Sequence, residues 1–148
     1  ILKAHTVKDN APDNSIILGC DSTFEFEGKS LGKPGNKENA ITRCKQLSGK
    51  SGYLHTGHCL IDLKQGIELS ERSTAKVEFA QMSDAEILDY VDSGEPLNVA
   101  GGFTLDGLSA PFITNIEGDP SGIIGLSLPL LRKMIITLGY SWPDLKNK

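Results

Sequence analysis

The feature that most constrains the fold is the alternation of apolar runs at strand spacing with apolar residues at helical spacing. Ser15–Cys20 is a short apolar run typical of a buried strand, and Phe24–Glu27 alternates like a half-exposed strand. Residues 51–80 contain two further strand-like runs separated by a turn at Gln65-Gly66, and Pro111–Ile116 is predicted to be another strand. Strands that alternate with helices predict an α/β or α+β domain.

The helices are recognised by their end signals. We expect Ile1–Val7 to be the end of a helix, and Asn36 to be the N-cap of a helix that Gly49 ends. Ser83-Asp84-Ala85-Glu86 is a capping box, in which the serine caps the helix and the glutamate reaches back. The last helix is predicted to start near Ser127, with a proline in its first turn.

Composition excludes several classes of protein. The 148 residues are enough for one domain with a sizeable core and too few for two independent domains. Hydrophobic residues make up 39% and charged residues 23%, which is typical of globular rather than disordered chains. No apolar run approaches the roughly 20 residues of a membrane span. A net charge of −4 argues against a general nucleic-acid binder, although local lysines and a metal can still bind a phosphorylated substrate.

The segment Gly19-Cys20-Asp21-Ser22-Thr23 is the first candidate for chemistry. It follows an apolar strand, and α/β folds place reactive groups at the carboxyl edge of the sheet, where strands end. The two hydroxyls beside Asp21 are suited to orienting a water molecule or a substrate. The alternative is that Asp21 caps a turn while Ser22 and Thr23 satisfy local backbone donors.

Lys33 is the second candidate, because Gly32 and Pro34 restrict the backbone on either side of it. Such a lysine is suited to aiming its ammonium group at a phosphate, and the alternative is a solvated surface lysine in a turn. The Walker A spacing is absent.

Two further segments resemble metal sites on residue type alone. His55, His58 and Cys59 suggest zinc, but an odd offset places the two imidazoles on opposite faces of a strand, so we favour a tight strand segment with partly exposed histidines. Glu117–Gly122 contains two carboxylates in a glycine-rich segment after a strand. A divalent-metal loop, a substrate-positioning loop and an ordinary turn all fit it.

Taken in order, these segments resemble the Maf family of nucleotide pyrophosphatases. The matching segments are GCDST at 19–23, LGKP at 31–34, LSGKSGYLHTGH at 47–58, SGEP at 93–96, AGGF at 100–103, DGL at 106–108 and IEGDPSGIIGLSLP at 116–129. The resemblance is closest to the actinobacterial branch. It implies a single domain over residues 1–148 with the Maf/ITPase-like fold, a twisted mixed β-sheet flanked by helices with a cleft between two lobes.

The resemblance also assigns roles. Asp21 would accept the proton of the attacking water and could contact the metal, while Lys33 and Lys3 would hold the phosphates. Ser22 and Asp106 would recognise the base. The reaction implied is hydrolysis of a nucleoside triphosphate to the monophosphate and pyrophosphate, with Mg²⁺ or Mn²⁺ as cofactor.

Three departures from the family pattern affect these expectations. The family's opening strand-helix segment, with its Ser-x-Ser-Pro-Arg turn, is absent from this sequence, so we expect the chain alone to be poorly active or inactive. Val99 stands where many members have a lysine. Asp106 stands where thymidine- and uridine-specific members have a glutamine, and an ionised aspartate only accepts hydrogen bonds, so the base preference should differ.

The remaining expectations concern location and partners. The three cysteines, Cys20, Cys44 and Cys59, form no Cys-x-x-Cys pair, which indicates buried thiols in a reducing compartment. We therefore expect a cytoplasmic protein without a nucleic-acid or membrane partner, and the resemblance implies a nucleoside triphosphate as its substrate. The resemblance adds pairing as a homodimer, and it leaves open a catalytically silent nucleotide-binding or septum-related regulatory relative.

Overall fold

The computed structural model describes residues 2–145, and its main elements are five strands and five α-helices. The strands are β1 (Ile16–Phe26), β2 (Lys29–Leu31), β3 (Ser51–Asp62), β4 (Ile67–Phe79) and β5 (Ile113–Glu117). The helices are α1 (Leu2–Lys8), α2 (Lys37–Leu47), α3 (Asp84–Asp92), α4 (Pro120–Ile124) and α5 (Leu128–Thr137). Short 3-10 turns occupy 95–98, 100–102, 110–112 and 142–145.

The strands form one sheet in the order β2-β1-β3-β4-β5, and helices accompany it, which confirms the α/β class. Each of the four pairings in this sheet is antiparallel, so the predicted mixture of parallel and antiparallel strands is wrong for residues 2–145. For two of the four pairings, the short connection between the strands explains the antiparallel direction. Strands β1 and β2, and strands β3 and β4, are joined by tight turns, and a tight turn can only connect antiparallel neighbours.

Strand β1 differs from its prediction. The two expected strands are one continuous strand of 11 residues, so Asp21 lies in the middle of a strand rather than at its end. The polar segment does not interrupt the strand because every residue in it pairs with β3: Asp21 lies opposite Gly57, and Ser22 lies opposite Thr56. The expectation that Asp21 lies at the carboxyl edge of the sheet is therefore wrong.

The two faces of the sheet have different environments. On the covered face, Phe24, Leu54, Val77 and Phe103 belong to the largest core cluster. Helix α1 packs on one end of the opposite face, where Ala4 contacts the strand at Gly19. The rest of that face, here called the open face, includes the exposed residues Asp21, Thr23, Tyr53, Gly57, Arg72 and Thr74.

The predicted helix caps are confirmed. The Asn36 side chain accepts a hydrogen bond from Asn39 N, Ser83 and Glu86 form the reciprocal capping box, and Ser127 caps α5. One helix was not predicted. Within the Glu117–Gly122 segment the chain turns into α4, because the carboxylate of Asp119 caps its first turn.

Candidate functional site

Asp21 projects from the open face and meets a lysine from another element. Lys3 Nζ, on α1, lies 3.4 Å from Asp21 Oδ1, and the two side chains are 63% and 75% exposed. This approach depends on Gly19, because a Cβ atom there would stand 2.5 Å from the backbone nitrogen of Ala4. A glycine in β1 thus allows α1 to lie directly on the sheet and bring Lys3 to Asp21.

Ser22 projects to the other side of the sheet, because successive side chains of a strand alternate. There it lines a cavity of about 170 Å³ that also contains Asp106. Apart from Thr104, the other lining side chains are apolar: Leu54, Val99, Ala100, Phe103, Ile123 and Ile124. The structure therefore brings Ser22 and Asp106 together, and Lys3 and Asp21 together, on opposite faces.

The edge of β1 connects these two pairs. On its outer side β1 pairs with β2 only through residues 24–26, whereas its pairing with β3 runs from residue 16 to residue 25. Within the described chain, Asp21 and Ser22 therefore lie on a strand edge without a second neighbour. Because the two residues are consecutive, a ligand that crosses this edge can contact side chains of both faces.

A buried threonine holds Ser22 in place. Thr56 is 1% exposed, and its Oγ1 lies 2.9 Å from Ser22 Oγ and donates to the carbonyl oxygen of Gly122 at 2.8 Å. This chain of hydrogen bonds ties β1, β3 and α4 together beneath the cavity. Thr56 was not among the predicted site residues, although its position in the His-Thr-Gly-His segment was a signal.

The loop that carries Asp106 is fastened by Glu95. Glu95 Oε1 accepts a hydrogen bond from the backbone N–H of Leu108 at 2.9 Å, and the Ser109 hydroxyl bridges the backbone N–H and carbonyl of Thr104. Gly107 fits tightly inside this loop, since a Cβ atom there would lie 2.2 Å from both Glu95 Oε1 and the Thr104 hydroxyl. Glu95 was quoted within a motif but was not assigned a role.

Lys33 lies in the exposed turn between β2 and α2. Arg43 Nη1 donates to the carbonyl oxygen of Gly32 at 2.8 Å, and the Gly35 N–H donates to the carbonyl oxygen of Leu97, so this turn is attached to two other elements. Contacts among the described residues bring Lys3, and not Lys33, to Asp21.

The carboxylate of Asp119 has a structural role. It accepts hydrogen bonds from the backbone N–H groups of Ser121 and Gly122 and from the Ser121 hydroxyl. Burial alone would raise the pKa of Asp119, but these hydrogen bonds and one from Ser127 outweigh it, so the pKa lies below its ordinary value. The Glu117–Gly122 segment therefore builds a helix start, and α4 contributes Ile123 and Ile124 to the cavity wall.

His55, His58 and Cys59 do not converge. His58 is 2% exposed, so the expectation of partial exposure is wrong for it; its Nδ1 lies 3.0 Å from the Thr56 carbonyl oxygen and its Nε2 accepts from Ser127 N. His55 is half-buried on the open face, between Glu25 and Thr74. Residues 2–145 contain no group of three His, Cys, Asp or Glu side chains arranged to hold a metal ion.

Across residues 2–145, none of the helices has the length and apolar character required to cross a membrane.

Comparison with known proteins connects this site to a family. The family described as Maf, Maf-like protein, matches residues 1–138. A protein of Thermosynechococcus vestitus named nucleoside triphosphate pyrophosphatase is 50% identical over 146 residues, which cover 99% of this chain and 74% of that protein. A protein of Streptomyces coelicolor with the same name is 50% identical over 131 residues, which cover 88% of this chain and 64% of that protein.

A third relative comes from Bifidobacterium longum and is named nucleoside triphosphate pyrophosphatase/Nudix hydrolase fusion protein. It is 52% identical over 132 residues, which cover 89% of this chain and 27% of the fusion protein. The family match extends over nearly the whole chain and includes Lys3, Asp21, Ser22, Lys33 and Asp106. The chain therefore belongs to the Maf family.

Proposed function

We propose that this protein is a nucleoside triphosphate pyrophosphatase that hydrolyses the bond between the α and β phosphates. The products are a nucleoside monophosphate and pyrophosphate. The observation that carries the proposal is the ion pair between Lys3 on α1 and Asp21 on β1. The names of the relatives, at about half identity over most of this chain, agree with it.

The pair supplies two functions that phosphate hydrolysis requires. A carboxylate with most of its surface exposed can accept the proton of a water molecule as that water attacks phosphorus. An ammonium group beside it neutralises the negative charge that the phosphates bring. Lys33 is proposed as a second phosphate contact, delivered by the turn before α2. Local cations are needed because the chain as a whole is acidic.

A divalent cation, Mg²⁺ or Mn²⁺, completes the proposal, and it would neutralise phosphate charge. Asp21 is the carboxylate of the site that is available to it. One carboxylate fits such an ion, because Mg²⁺ at nucleotide sites is commonly held by one or two carboxylates together with substrate phosphates and water.

The base is proposed to enter the cavity between β1 and the loop that carries Asp106. The mostly apolar lining suits a flat heterocycle, while Ser22 and Asp106 provide polar atoms that distinguish bases. Phosphates at Asp21 and a base at Ser22 require the nucleotide to lie across the strand edge that joins the two faces.

Three free cysteines agree with a reducing compartment, and we propose the cytoplasm. Pairing as a homodimer stays a prediction.

The test is pyrophosphate release from canonical and modified nucleoside triphosphates with Mg²⁺, comparing the chain with its Asp21→Asn variant. We expect the turnover that the chain shows, even if it is low, to fall by at least about a hundredfold in the variant, since a general base is lost. Asp92→Asn is the matched control, because Asp92 forms a similarly exposed ion pair with Lys37 at 3.5 Å, between α3 and α2 rather than on β1. Equal turnover in Asp21→Asn and wild type would contradict the assigned role. Nucleotide binding without turnover would fit either a chain that is inactive without the family's opening segment or the silent regulatory relative, and repeating the assay with that segment attached would separate the two.

A further inference from the structure

The cavity beside β1 exposes few polar side chains. Of its nine lining residues, six are apolar, and the polar ones are Ser22, Thr104 and Asp106. The hydroxyl oxygen of Thr104 is buried next to Gly107, within the loop that carries Asp106. Ser22 and Asp106 are therefore the side chains whose polar atoms a base in the cavity can reach.

The direction of one hydrogen bond decides what Ser22 offers. A hydroxyl group has one proton to donate, and the Thr56 hydroxyl donates its hydrogen bond to the carbonyl oxygen of Gly122. The hydrogen bond between Thr56 and Ser22 must then be donated by Ser22. Because Thr56 is fully buried, no water molecule competes for this arrangement. The Ser22 hydroxyl thus donates its only proton in the hydrogen bond to Thr56, and it can only accept hydrogen bonds from a ligand in the cavity.

Asp106 presents the same kind of group. It is exposed at the rim of the cavity, and an ionised carboxylate has acceptor atoms alone. Both side chains that read the base are consequently acceptors, and each requires a donor from the ligand. An acceptor of the base placed against either of them would leave two lone pairs facing each other without a proton, which costs affinity.

We propose that this cavity selects bases whose edge carries hydrogen-bond donors, and that guanine is the base it fits best. Guanine carries an N1–H and an N2 amino group side by side, whereas uracil and thymine carry a single N–H between two carbonyl acceptors. Thr56 does not touch the base. It is a positioning residue that affects specificity, because it accepts the hydrogen bond from Ser22 and so orients the Ser22 proton away from the cavity. The inference rests on the proposed function for the placement of the base.

The experiment compares guanine and uracil nucleotides in two independent readouts. Steady-state kcat/KM is measured for GTP and UTP, and dissociation constants are measured for GMP and UMP, which require no turnover. We expect wild type to prefer guanine by at least about tenfold in each, since a mismatched pair of acceptors is strongly disfavoured.

The variants test the origin of the preference. Thr56→Val has nearly the same shape but no hydroxyl, so Ser22 can turn its proton to the cavity, and the preference should fall at least threefold through better uracil binding. Thr56→Ser keeps the hydroxyl and should keep the preference. Asp106→Asn adds a donor on an exposed residue without risk to the fold, and it should also shift the preference toward uracil.

The outcomes separate the two proposals. Guanine-selective binding of the monophosphates would support this inference even if the chain showed no turnover and the test of the pyrophosphatase proposal failed. Turnover with equal use of GTP and UTP, or with a uracil preference, would overturn the inference and leave the pyrophosphatase assignment intact. A guanine preference that neither Thr56→Val nor Asp106→Asn reduces would also overturn it, as would failure of both monophosphates to bind.

Discussion

Lys3 Nζ lies 3.4 Å from Asp21 Oδ1, although the two residues belong to different elements and both are well exposed. An exposed ion pair of this kind contributes at most about 1 kcal/mol to stability. Folding energetics therefore do not account for its position. A phosphate that approaches Asp21 meets the ammonium group of Lys3 at the same place, which is the arrangement that hydrolysis of a polyphosphate needs.

The contact between α1 and β1 is predicted to control this pair. A Cβ atom in Gly19→Ala would lie 2.5 Å from the backbone nitrogen of Ala4, so α1 must move and carry Lys3 away from Asp21. We expect KM for the triphosphate to rise several-fold, as it should in Lys3→Ala, because the same ammonium group is lost from the site.

A control variant at Gly57 and a double variant at Gly19 and Lys3 test this prediction. Gly57 lies opposite Asp21, and a Cβ atom there has its nearest neighbour at 3.8 Å, so Gly57→Ala should change KM little. The double variant Gly19→Ala with Lys3→Ala should be no worse than Lys3→Ala alone, since both act through one group. If the fold increases in KM of the two single variants multiplied in the double variant, α1 would affect the site by another route.

Gly107 is predicted to control base discrimination rather than hydrolysis. In Gly107→Ala, the new Cβ atom would lie 2.2 Å from Glu95 Oε1 and from the Thr104 hydroxyl, so the loop with Asp106 must shift. We expect the kcat/KM ratio between nucleotides to fall toward one while kcat stays within about threefold, because Asp21 is on the opposite face.

Two substitutions of Glu95 check the mechanism of that effect. Glu95→Ala removes the acceptor for the Leu108 N–H and should reproduce the loss of discrimination, whereas Glu95→Gln keeps an acceptor there and should not. Equal discrimination in Gly107→Ala and wild type would show that the loop position does not determine base choice.

The contribution of Asp62 to the stability of the folded protein is predicted to be lost in acid. Asp62 is a fully buried carboxylate at the end of β3. Burial alone would raise its pKa, but hydrogen bonds from Gln65, Tyr140 and the backbone N–H of Lys64 outweigh it, and the pKa lies below its ordinary value. The folded state therefore prefers the ionised form. This stabilisation is present above the unfolded pKa of about 3.9 and disappears as the pH falls through the lower folded value.

The measurement is urea unfolding of wild type and Asp62→Asn between neutral pH and about pH 2.5. The difference in unfolding free energy should be largest near pH 7 and should shrink below about pH 4. Asp119, whose pKa is also lowered, contributes to both proteins and cancels in the difference. Tyr140→Phe removes one donor to Asp62 and should cost about 1.5–3 kcal/mol at neutral pH. A difference that does not change with pH would contradict the assignment.

Local signals in the sequence were enough for much of the fold and for the list of candidate residues. Helix caps such as Asn36 and Ser83 depend on hydrogen bonds within four residues, so they can be read without tertiary information. The ordered motifs also identified the family, which the comparison confirmed. The role of Asp21 stays a prediction, and its expected place at a strand end was wrong.

By itself, the sequence therefore determined which residue types occur together in the motifs and where the capped helices begin. Tertiary structure alone decided that β1 continues through Asp21, because pairing with β3 satisfies the backbone of that polar segment. It also decided that His58 is buried beneath α5 and that the hydroxyls of Ser22 and Thr56 are hydrogen-bonded to each other. Those contacts join residues 34 to 69 positions apart, and no local pattern specifies which distant donor meets which acceptor.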